Sequence, residues 1–322
     1  MKAKQAQAPQ VQVKRNRKSG SYRLQKLRRE LPYYVMIAVP FLFFIIFKYW
    51  PMFGLTIAFQ DYKLGAPFVS MESKWVGIKW FKLLLNSPFF PRLVRNTLLL
   101  SLLGLVISFP LAILMAIMLN EIHNSKLRKL TSNVSLLPHF ISTAVVVGIM
   151  FNFFSVDDGI VNSIIAKLGG EKIDFMGSSS LFRAMYTGSG VWQNVGFSAV
   201  VFTAAIAGID PNLYEAAALD GSTRVKNIFY ITIPCILPTI IIMFILRIGS
   251  VMSVGYEKII LMYSPGIYET ADTLATYSYR AAFQDNKTSF AAAIGMFNSV
   301  CNLLLIVGAN KLSKKVSETS LW

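Results

Sequence analysis

The chain has 322 residues, of which 54% are hydrophobic, and a mean hydropathy of +0.51; these values exclude an ordinary soluble protein and predict a membrane protein. Its formal net charge is +16, but the basic residues lie at the N-terminus and in short loops between apolar stretches. They therefore do not indicate a nucleic-acid-binding domain. Cys235, Cys301, His123 and His139 are isolated from one another and show no metal-ligand spacing, so we predict no metal site.

The N-terminal segment is polar and basic. Residues 1–20 have little to bury and are predicted to be disordered. From Tyr22 onward, leucines recur at helical spacing among Lys and Arg, which predicts an amphipathic helix on an anionic membrane surface. We therefore divide the chain into a cytoplasmic leader at 1–32, a transmembrane domain at 33–312 and a cytoplasmic tail at 313–322.

Six apolar stretches are long enough to cross a membrane, which takes about 20 residues of helix. They are residues 33–57, 93–119, 134–154, 190–208, 236–254 and 290–309. Lys48 and Pro51 predict a break in the first stretch, and Pro110 lies inside the second. An even number of spans places both termini on the same side of the membrane.

The basic residues predict which side that is. Ten Lys and Arg residues lie in residues 1–34, and others lie in the 121–131 loop, in the loop between the fourth and fifth spans, and in the tail. The opposite loops are longer and mix both signs of charge. By the positive-inside rule, both termini and the loop before the fifth span are predicted to be cytoplasmic.

That loop, residues 209–235, is polar yet has helical signals. Asp210 can cap a helix that begins at Pro211, and Gly221 can adopt the left-handed conformation that ends it. Ser222 or Thr223 can cap a second short helix.

Pro234 and Pro238 then predict an interruption or a bend. The loop is thus predicted to form two short helices that meet at a glycine. The first reaches only about 13 Å, which suits a partner's cleft better than a separate domain.

The residues of this loop resemble the EAA loop of binding-protein-dependent ABC importers. The match has the family's internal spacing and lies at its expected place before the penultimate span; it consists of Glu215, Ala216, Ala217, Asp220, Gly221, Ile231 and Pro234. In that family the loop docks into a groove on the ATPase subunit, and the resemblance implies the same role here. An interfacial loop helix without a partner is the alternative.

Less specific patterns resemble one branch of these importers, the LplB-type carbohydrate permeases. They lie at residues 51–55, 255–259, 268–270 and 320–322. This branch is similar to the permeases for alginate, rhamnogalacturonan and related oligosaccharides.

The resemblance implies an all-α membrane protein with the six transmembrane helices of the type I importer permease, in a bacterial cytoplasmic membrane. The implied partners, besides lipid and an oligosaccharide, are a second homologous permease, a cytoplasmic ATPase dimer and an extracytoplasmic solute-binding protein. ATP and Mg would bind to the ATPase, and this chain would carry no cofactor. The outer loops at residues 60–91, 155–185 and 257–288 would receive the binding protein.

The sequence favours no enzyme chemistry. It contains no G-x-x-x-x-G-K-[ST] phosphate loop and no convergent set of nucleophile, base and acid. An ATP-independent transporter would need carboxylates within the spans and often an internal repeat, and we see neither. An importer permease for a neutral sugar or another small solute stays open as an alternative.

Arg247 is the candidate for substrate recognition, because it lies about eleven residues into the predicted fifth span. A charge at mid-membrane costs roughly 2.5–3.5 kcal/mol, so Arg247 should face a partner or a watery cavity. The predicted path also includes Ser250 and Ser253 on the same helix face and Trp192, Gln193 and Asn194 on the fourth span. The planar guanidinium suits a carboxylate, which favours uronate-containing oligosaccharides. A contact with the companion permease is the alternative role for Arg247.

Overall fold

The computed structural model describes residues 19–63, 65, 73–317 and 320–321. Within those ranges the fold is almost entirely helical, as predicted. The described strands are β1 (Gln60–Asp61) and β2 (Lys74–Trp75), which pair antiparallel. The chain divides into two compact units between Gly54 and Leu55.

The first unit is one helical segment whose geometry changes along its length. Its parts are α1 (Ser19–Phe44), a π turn (Ile45–Tyr49) and α2 (Trp50–Met52), followed by a 3₁₀ helix (Phe53–Phe59) that runs across the boundary between the units. The sequence predicts a break near Lys48 and Pro51, but the π turn that contains Lys48 continues directly into α2, which contains Pro51, so Arg29–Phe59 is one helical segment with a change of geometry and no break. α1 begins inside the predicted leader and continues into the first span, while residues 1–18 lie outside the described residues.

The second unit contains the remaining helices. In chain order they are α3 (Lys79–Leu85), α4 (Phe90–Glu121), α5 (Ser125–Leu136), α6 (Thr143–Phe154), α7 (Ile160–Lys167), α8 (Ser179–Ala207), α9 (Pro211–Leu219), α10 (Arg224–Asn227), α11 (Ile233–Ile248), α12 (Tyr256–Met262), α13 (Tyr268–Ala271), α14 (Leu274–Phe283) and α15 (Thr288–Ser317).

Among the described residues, five helical segments are long and apolar enough to cross a membrane. They are Arg29–Phe59, Phe90–Glu121, Ser179–Ala207, Arg224–Ile248 and Thr288–Lys315. A sixth span exists only if the bent pair Ser125–Phe140 and Thr143–Phe154 is one broken span. The six predicted apolar stretches are therefore mostly helical, but the third is bent and the fifth is helical only as far as Ile248.

The predicted third span, residues 134–154, bends by 97°. A 3₁₀ turn that contains Pro138 ends the first helix, and Ser142 starts the second because its side chain accepts a hydrogen bond from the amide of Val145 at 3.4 Å. A helix start of this kind is favoured by serine. The break was not predicted from the sequence, although the proline turn ends one helix and the serine cap starts the next.

The fifth span also differs from the prediction. Neither Pro234 nor Pro238 interrupts it, because Arg224–Ile248 is one helix with Pro238 inside it. A π turn (Ile228–Thr232) directly precedes Pro234, and such a turn absorbs the hydrogen bond that proline cannot make. The predicted second short helix is thus the first turn of the span itself. The helix then ends at Ile248 and not at residue 254.

Three apolar clusters hold the second unit together, and α4 and α8 form its most extensive helix pair. One cluster lies among α4, α8 and α11 and includes Ala116, Phe202 and Ile236. The other two join α4 to α6, α8, α12 and α13 on one side and to α3, α14 and α15 on the other. Outside the membrane, the burial of apolar side chains away from water is the main favourable contribution to the free energy of helix packing.

A buried carboxylate ties the segment before α14 to α4. Asp272 is 2% exposed and accepts from Arg280 Nη2 at 2.8 Å and from Arg92 Nη2 at 3.3 Å. Tyr263 Oη donates to the same carboxylate at 3.0 Å. Burial raises the pKa of Tyr263, so the phenol stays protonated and remains a donor. Asn96 of α4 adds a bond to the backbone carbonyl of Asp272 at 2.9 Å.

Asp272→Asn removes the charge but keeps the shape, and it leaves two arginines without their counter-charge. Loss of one partner of a buried ion pair costs about 3 kcal/mol, so the apparent Tm of the detergent-purified protein should fall clearly. Asp285→Asn is the control, because Asp285 is exposed and its pair with Lys287 spans 3.8 Å. Equal Tm values for the two variants would contradict a structural role for the Asp272 cluster.

The topology can be tested by cysteine labelling in a background without Cys235 and Cys301. Cysteines at Ser19 and Lys314 should label only from the cytoplasmic side, and one at Glu171, an exposed residue, only from outside. These positions precede the first span, end the sixth and lie between the third and fourth. Labelling of Ser19 and Lys314 from opposite sides would mean an odd number of spans and would contradict the broken third span.

Candidate functional site

The loop at 209–235 begins with the predicted helix. Asp210 caps α9 by accepting a hydrogen bond from the amide of Asn212 at 3.0 Å, and Pro211 is the first helical residue. The helix ends at Gly221, whose φ of +71° is left-handed. The amides of Gly221 and Ser222 donate to the carbonyls of Ala218 and Ala217 at 3.1 and 2.9 Å, respectively. This is the Schellman arrangement that glycine favours.

The second helix starts at Thr223, the other of the two predicted caps. Its hydroxyl accepts from the amide of Lys226 at 3.4 Å. Because α10 continues into the π turn and α11, the loop is joined directly to the fifth span. Ile231 and Pro234 lie inside that helix, at the base of the span.

Most of α9 is exposed. Glu215, Ala216 and Asp220 are exposed, Ala217 is half-buried, and Leu219 is 91% exposed. An exposed leucine beside small side chains and a carboxylate forms a surface that a partner's groove can cover closely. Leu219 was not singled out from the sequence, although its place at the end of the helix was visible there.

Two contacts hold α9 and α10 against the rest of the unit. Tyr214 Oη lies 2.9 Å from Oγ1 of Thr232, which is buried in the π turn. Arg224 Nη2 lies 3.3 Å from Nε2 of His123, in the loop after α4. His123 Nδ1 lies 2.9 Å from the carbonyl of Glu121, so the tautomer that donates from Nδ1 satisfies both contacts. Neither pairing could be predicted from the sequence, because the partners are 18 and 101 residues apart in the chain.

A polar cavity of about 270 Å³ lies between α4, α8 and the end of α11. It is lined by five of the six predicted path residues: Arg247, Ser250, Ser253, Gln193 and Asn194. The α4 residues that line it, Leu100 to Ser108, lie near the middle of that long helix. Arg247 therefore faces a cavity at the level of the middle of the apolar helices.

The helix-face argument for Ser250 and Ser253 was wrong, because α11 ends at Ile248. These serines belong to a non-helical break, residues 249–255, that forms one wall of the cavity. Irregular backbone at membrane depth is tolerated where it is covered by protein or lines a cavity. The two serines therefore line the cavity as predicted, but they do so from irregular backbone and not from a helix face.

Side chains of α4 and α15 satisfy the backbone of the break. Asn302 Oδ1 accepts from the amide of Met252 at 2.9 Å, and its Nδ2 donates to Ser253 Oγ at 2.8 Å. Asn298 Nδ2 donates to the carbonyl of Met252 at 2.9 Å. Ser101 Oγ of α4 donates to the carbonyl of Val251. These residues were not predicted from the sequence, although polar amides within an apolar span are a recognisable signal.

Gln193 and Asn194 support the other break, in the third span. Gln193 Nε2 donates to the carbonyl of Ile141 at 2.9 Å. Asn194 Oδ1 lies 3.1 Å from Nδ1 of His139, whose ring stacks on Phe197 with a 4.0 Å centroid distance. The two α8 amides thus have structural hydrogen bonds in addition to their position at the cavity.

A second cavity, of about 450 Å³, lies beyond Arg247. It shares Ser108, Asn194 and Arg247 with the first and adds His139 and Phe197. Arg247 thus lines both cavities.

Trp192 is not brought together with the other predicted path residues. It lines a separate apolar cavity of about 470 Å³, formed with side chains of α6 such as Phe153. One position along a helix turns the side chain by about 100°, which is enough to separate Trp192 from Gln193.

Lys258 was overlooked in the sequence and lines the first cavity. Its Nζ donates to the backbone carbonyl of Tyr186 at 3.2 Å. The same Nζ lies 5.1 Å from the centroid of the Tyr186 ring. Lys258 could have been noticed in the sequence, because it lies in the 255–259 pattern, shortly after the predicted fifth span. No group of three or more His, Cys, Asp or Glu that could hold a metal exists among the described residues.

Residues 108–318 match the family described as the binding-protein-dependent transport system inner membrane component. Over 324 residues the chain is 38% identical to the polygalacturonan/rhamnogalacturonan transport system permease protein YteP of Bacillus subtilis (strain 168), with 100% of both chains covered. It is also 38% identical to protein LplB of the same strain, with 92% of each chain covered.

The fold is similar to a chain in the crystal structure of a bacterial alginate ABC transporter in complex with an alginate pentasaccharide-bound periplasmic protein. The TM-score is 0.83 and the identity 38%, over 92% of this chain and 99% of that chain. The resemblance to LplB-type permeases, the type I permease fold and the multi-pass membrane location are thereby confirmed. The chain belongs to the family of inner-membrane components of binding-protein-dependent transport systems, and it is a permease of that family.

Proposed function

We propose that this chain forms part of the path through which an oligosaccharide passes from an extracytoplasmic binding protein into the cytoplasm, driven by a separate ATPase. The observation that carries this proposal is the polar cavity around Arg247 at the middle of the apolar helices. Relatives named for polygalacturonan, rhamnogalacturonan and alginate transport support an oligosaccharide as the substrate. Arg247 favours one that carries carboxylates.

The partners follow from the same family. This chain would pair with a second homologous permease, and ATP and Mg would bind to two copies of a cytoplasmic ATPase. A solute-binding protein would dock on the outer loops; a complex of the alginate transporter with a periplasmic protein supports such a partner. Both termini and the 209–235 loop would lie in the cytoplasm.

The geometry supports a direct mechanical connection from the ATPase to the cavity. α9 presents the exposed EAA surface, with Glu215 and Leu219 available to a partner. The Tyr214–Thr232 hydrogen bond joins α9 to the base of the helix that runs from Arg224 to Ile248. A displacement of α9 would therefore reach Arg247, near the far end of the same helix. Closure of the ATPase dimer on ATP would move the two EAA loops together and open the cavity outward.

Charge reversal and backbone strain at α9 test this coupling. Glu215→Lys alters the docking surface, and Gly221→Val forces a branched side chain into a left-handed backbone at a cost of about 1–2 kcal/mol. Both variants should insert normally but lose at least about tenfold in ATP-driven uptake and in stimulation of hydrolysis by the loaded binding protein.

Two controls accompany them. Gly221→Asn tolerates the left-handed conformation and should keep most of the activity. Glu171→Lys reverses a charge in an outer loop and should leave ATPase association intact. Normal uptake by both Glu215→Lys and Gly221→Val would show that this loop is not the coupling element.

Arg247→Gln tests substrate recognition. Removing a charged, forked donor should lower uptake of an acidic oligosaccharide about tenfold or more, with a smaller loss for Arg247→Lys. Uptake of acidic and neutral oligosaccharides is measured, each delivered by a binding protein that accepts it. If both variants carry the acidic sugar as well as the unchanged protein does, Arg247 does not contact the substrate.

A further inference from the structure

Lys258 is a buried cation, with 9% of its surface exposed. Its ammonium group has three hydrogens to donate, and the acceptor described for it is the carbonyl of Tyr186. The ring of Tyr186 adds a cation–π contact. These neutral contacts orient the group but do not balance its charge.

No carboxylate balances it within the described part of the chain. The ion pairs found there are Lys79–Asp61, Arg92–Asp272, Arg280–Asp272 and Lys287–Asp285. Neither Lys258 nor Arg247 belongs to any of them, and both line the same 270 Å³ cavity. Two cations that share a small cavity without a counter-charge repel each other, and burial of Lys258 adds a desolvation cost. An anion in the cavity would offset both costs.

A third donor points to the same ligand. Thr187 is 7% exposed and lines this cavity, and its buried hydroxyl has no hydrogen-bond partner among the described residues. Such an orphaned hydroxyl is costly unless a ligand or water reaches it. Gly190, one turn along α8, leaves open space beside the lysine, since a Cβ there would lie 3.8 Å from Nζ.

We infer that Lys258, Arg247 and Thr187 form a carboxylate-binding subsite for the uronate units of an acidic oligosaccharide in transit. This inference rests on the proposed function and names its substrate class. The forked guanidinium suits both oxygens of a carboxylate, and the ammonium supplies a second positive charge from the other wall. Lys258 begins the path on the side of the outer segments, and Arg247 continues it toward the second cavity.

The site also fits the needs of transport, since a translocation site must attract its substrate and then release it. The cavity is formed by the break after α11 and by α4 and α8. A movement of α11 would shift Arg247 relative to Lys258, which lies on α12 beyond the break. The two cations would then no longer hold one carboxylate together, and the sugar would be released.

The test uses the complete importer in proteoliposomes, with ATP inside and a binding protein that accepts two probes. The probes are a uronate trisaccharide and the same trisaccharide with its carboxylates reduced to alcohols. Lys258→Met keeps the length and the apolar stem, Lys258→Arg keeps the charge, and Thr187→Val keeps the shape without the hydroxyl. Lys287→Met is the matched control, because Lys287 is exposed and is not among the residues that line the cavity.

Lys258→Met should import the acidic trisaccharide about tenfold more slowly and the reduced one within about twofold of the unchanged protein, as expected for loss of one charge-assisted contact. Lys258→Arg should restore acidic uptake, Thr187→Val should lower it by a smaller factor, and Lys287→Met should change neither. If Lys258→Met does not assemble, Lys258→Gln and Thr187→Val give the same comparison.

Unchanged acidic uptake in Lys258→Met, or equal losses for both sugars, would overturn the subsite. The second result would assign Lys258 a purely structural role at the Tyr186 carbonyl. Failure of the proposed function looks different, because the unchanged complex would then import neither trisaccharide in an ATP-dependent manner.

Discussion

The satisfaction of backbone hydrogen bonds at the two helix breaks is the constraint on which the second unit depends. In hydrocarbon, a peptide group without a partner costs several kcal/mol, so a span can be interrupted only where other side chains supply the missing bonds. Asn298 and Asn302 of α15 do this for the break after Ile248, and Gln193 of α8 does it for the break at Ile141. These polar groups thus have a structural role, and the break after Ile248 also lines the 270 Å³ cavity.

The break also determines how distant parts of the chain are connected. Because Arg224–Ile248 is one helix, it connects the 209–235 loop directly to Arg247 at the cavity. Its π turn accommodates Pro234 without a kink large enough to divide the helix. Beyond Ile248 the chain is held by side-chain hydrogen bonds instead of helical ones, so this is where relative movement costs least.

An ion-pair cluster and an apolar cluster hold the segments that follow the break, α12 to α14, in place. The carboxylate of Asp272 holds Arg280 of α14 and Arg92 of α4 together, and the apolar cluster around Ile259 and Met262 packs α12 against α6 and α8. This packing places Lys258 beside Tyr186 and keeps its ammonium at the cavity. Lys258 is therefore held by packing among α6, α8 and α12, while Arg247 lies on a helix that leads to the 209–235 loop.

The sequence by itself determined the features that depend on near neighbours in the chain. The Asp210 cap, the Gly221 turn and the apolar stretches are local, because hydrophobic length, capping side chains and a left-handed glycine act within a few residues. Arg247 could also be singled out from the sequence, since a charge within an apolar stretch is costly whichever way its side chain points.

Other features are known only from the packed structure: the third span bends by 97°, and the fifth ends at Ile248. Lys258 and Thr187 line the cavity of Arg247, whereas Trp192 does not. Those outcomes depend on partners such as Asn302 and Gln193, which lie about fifty residues away from the backbone groups they satisfy. A hydrogen bond of that kind exists only once the helices have packed, so no local pattern could predict it.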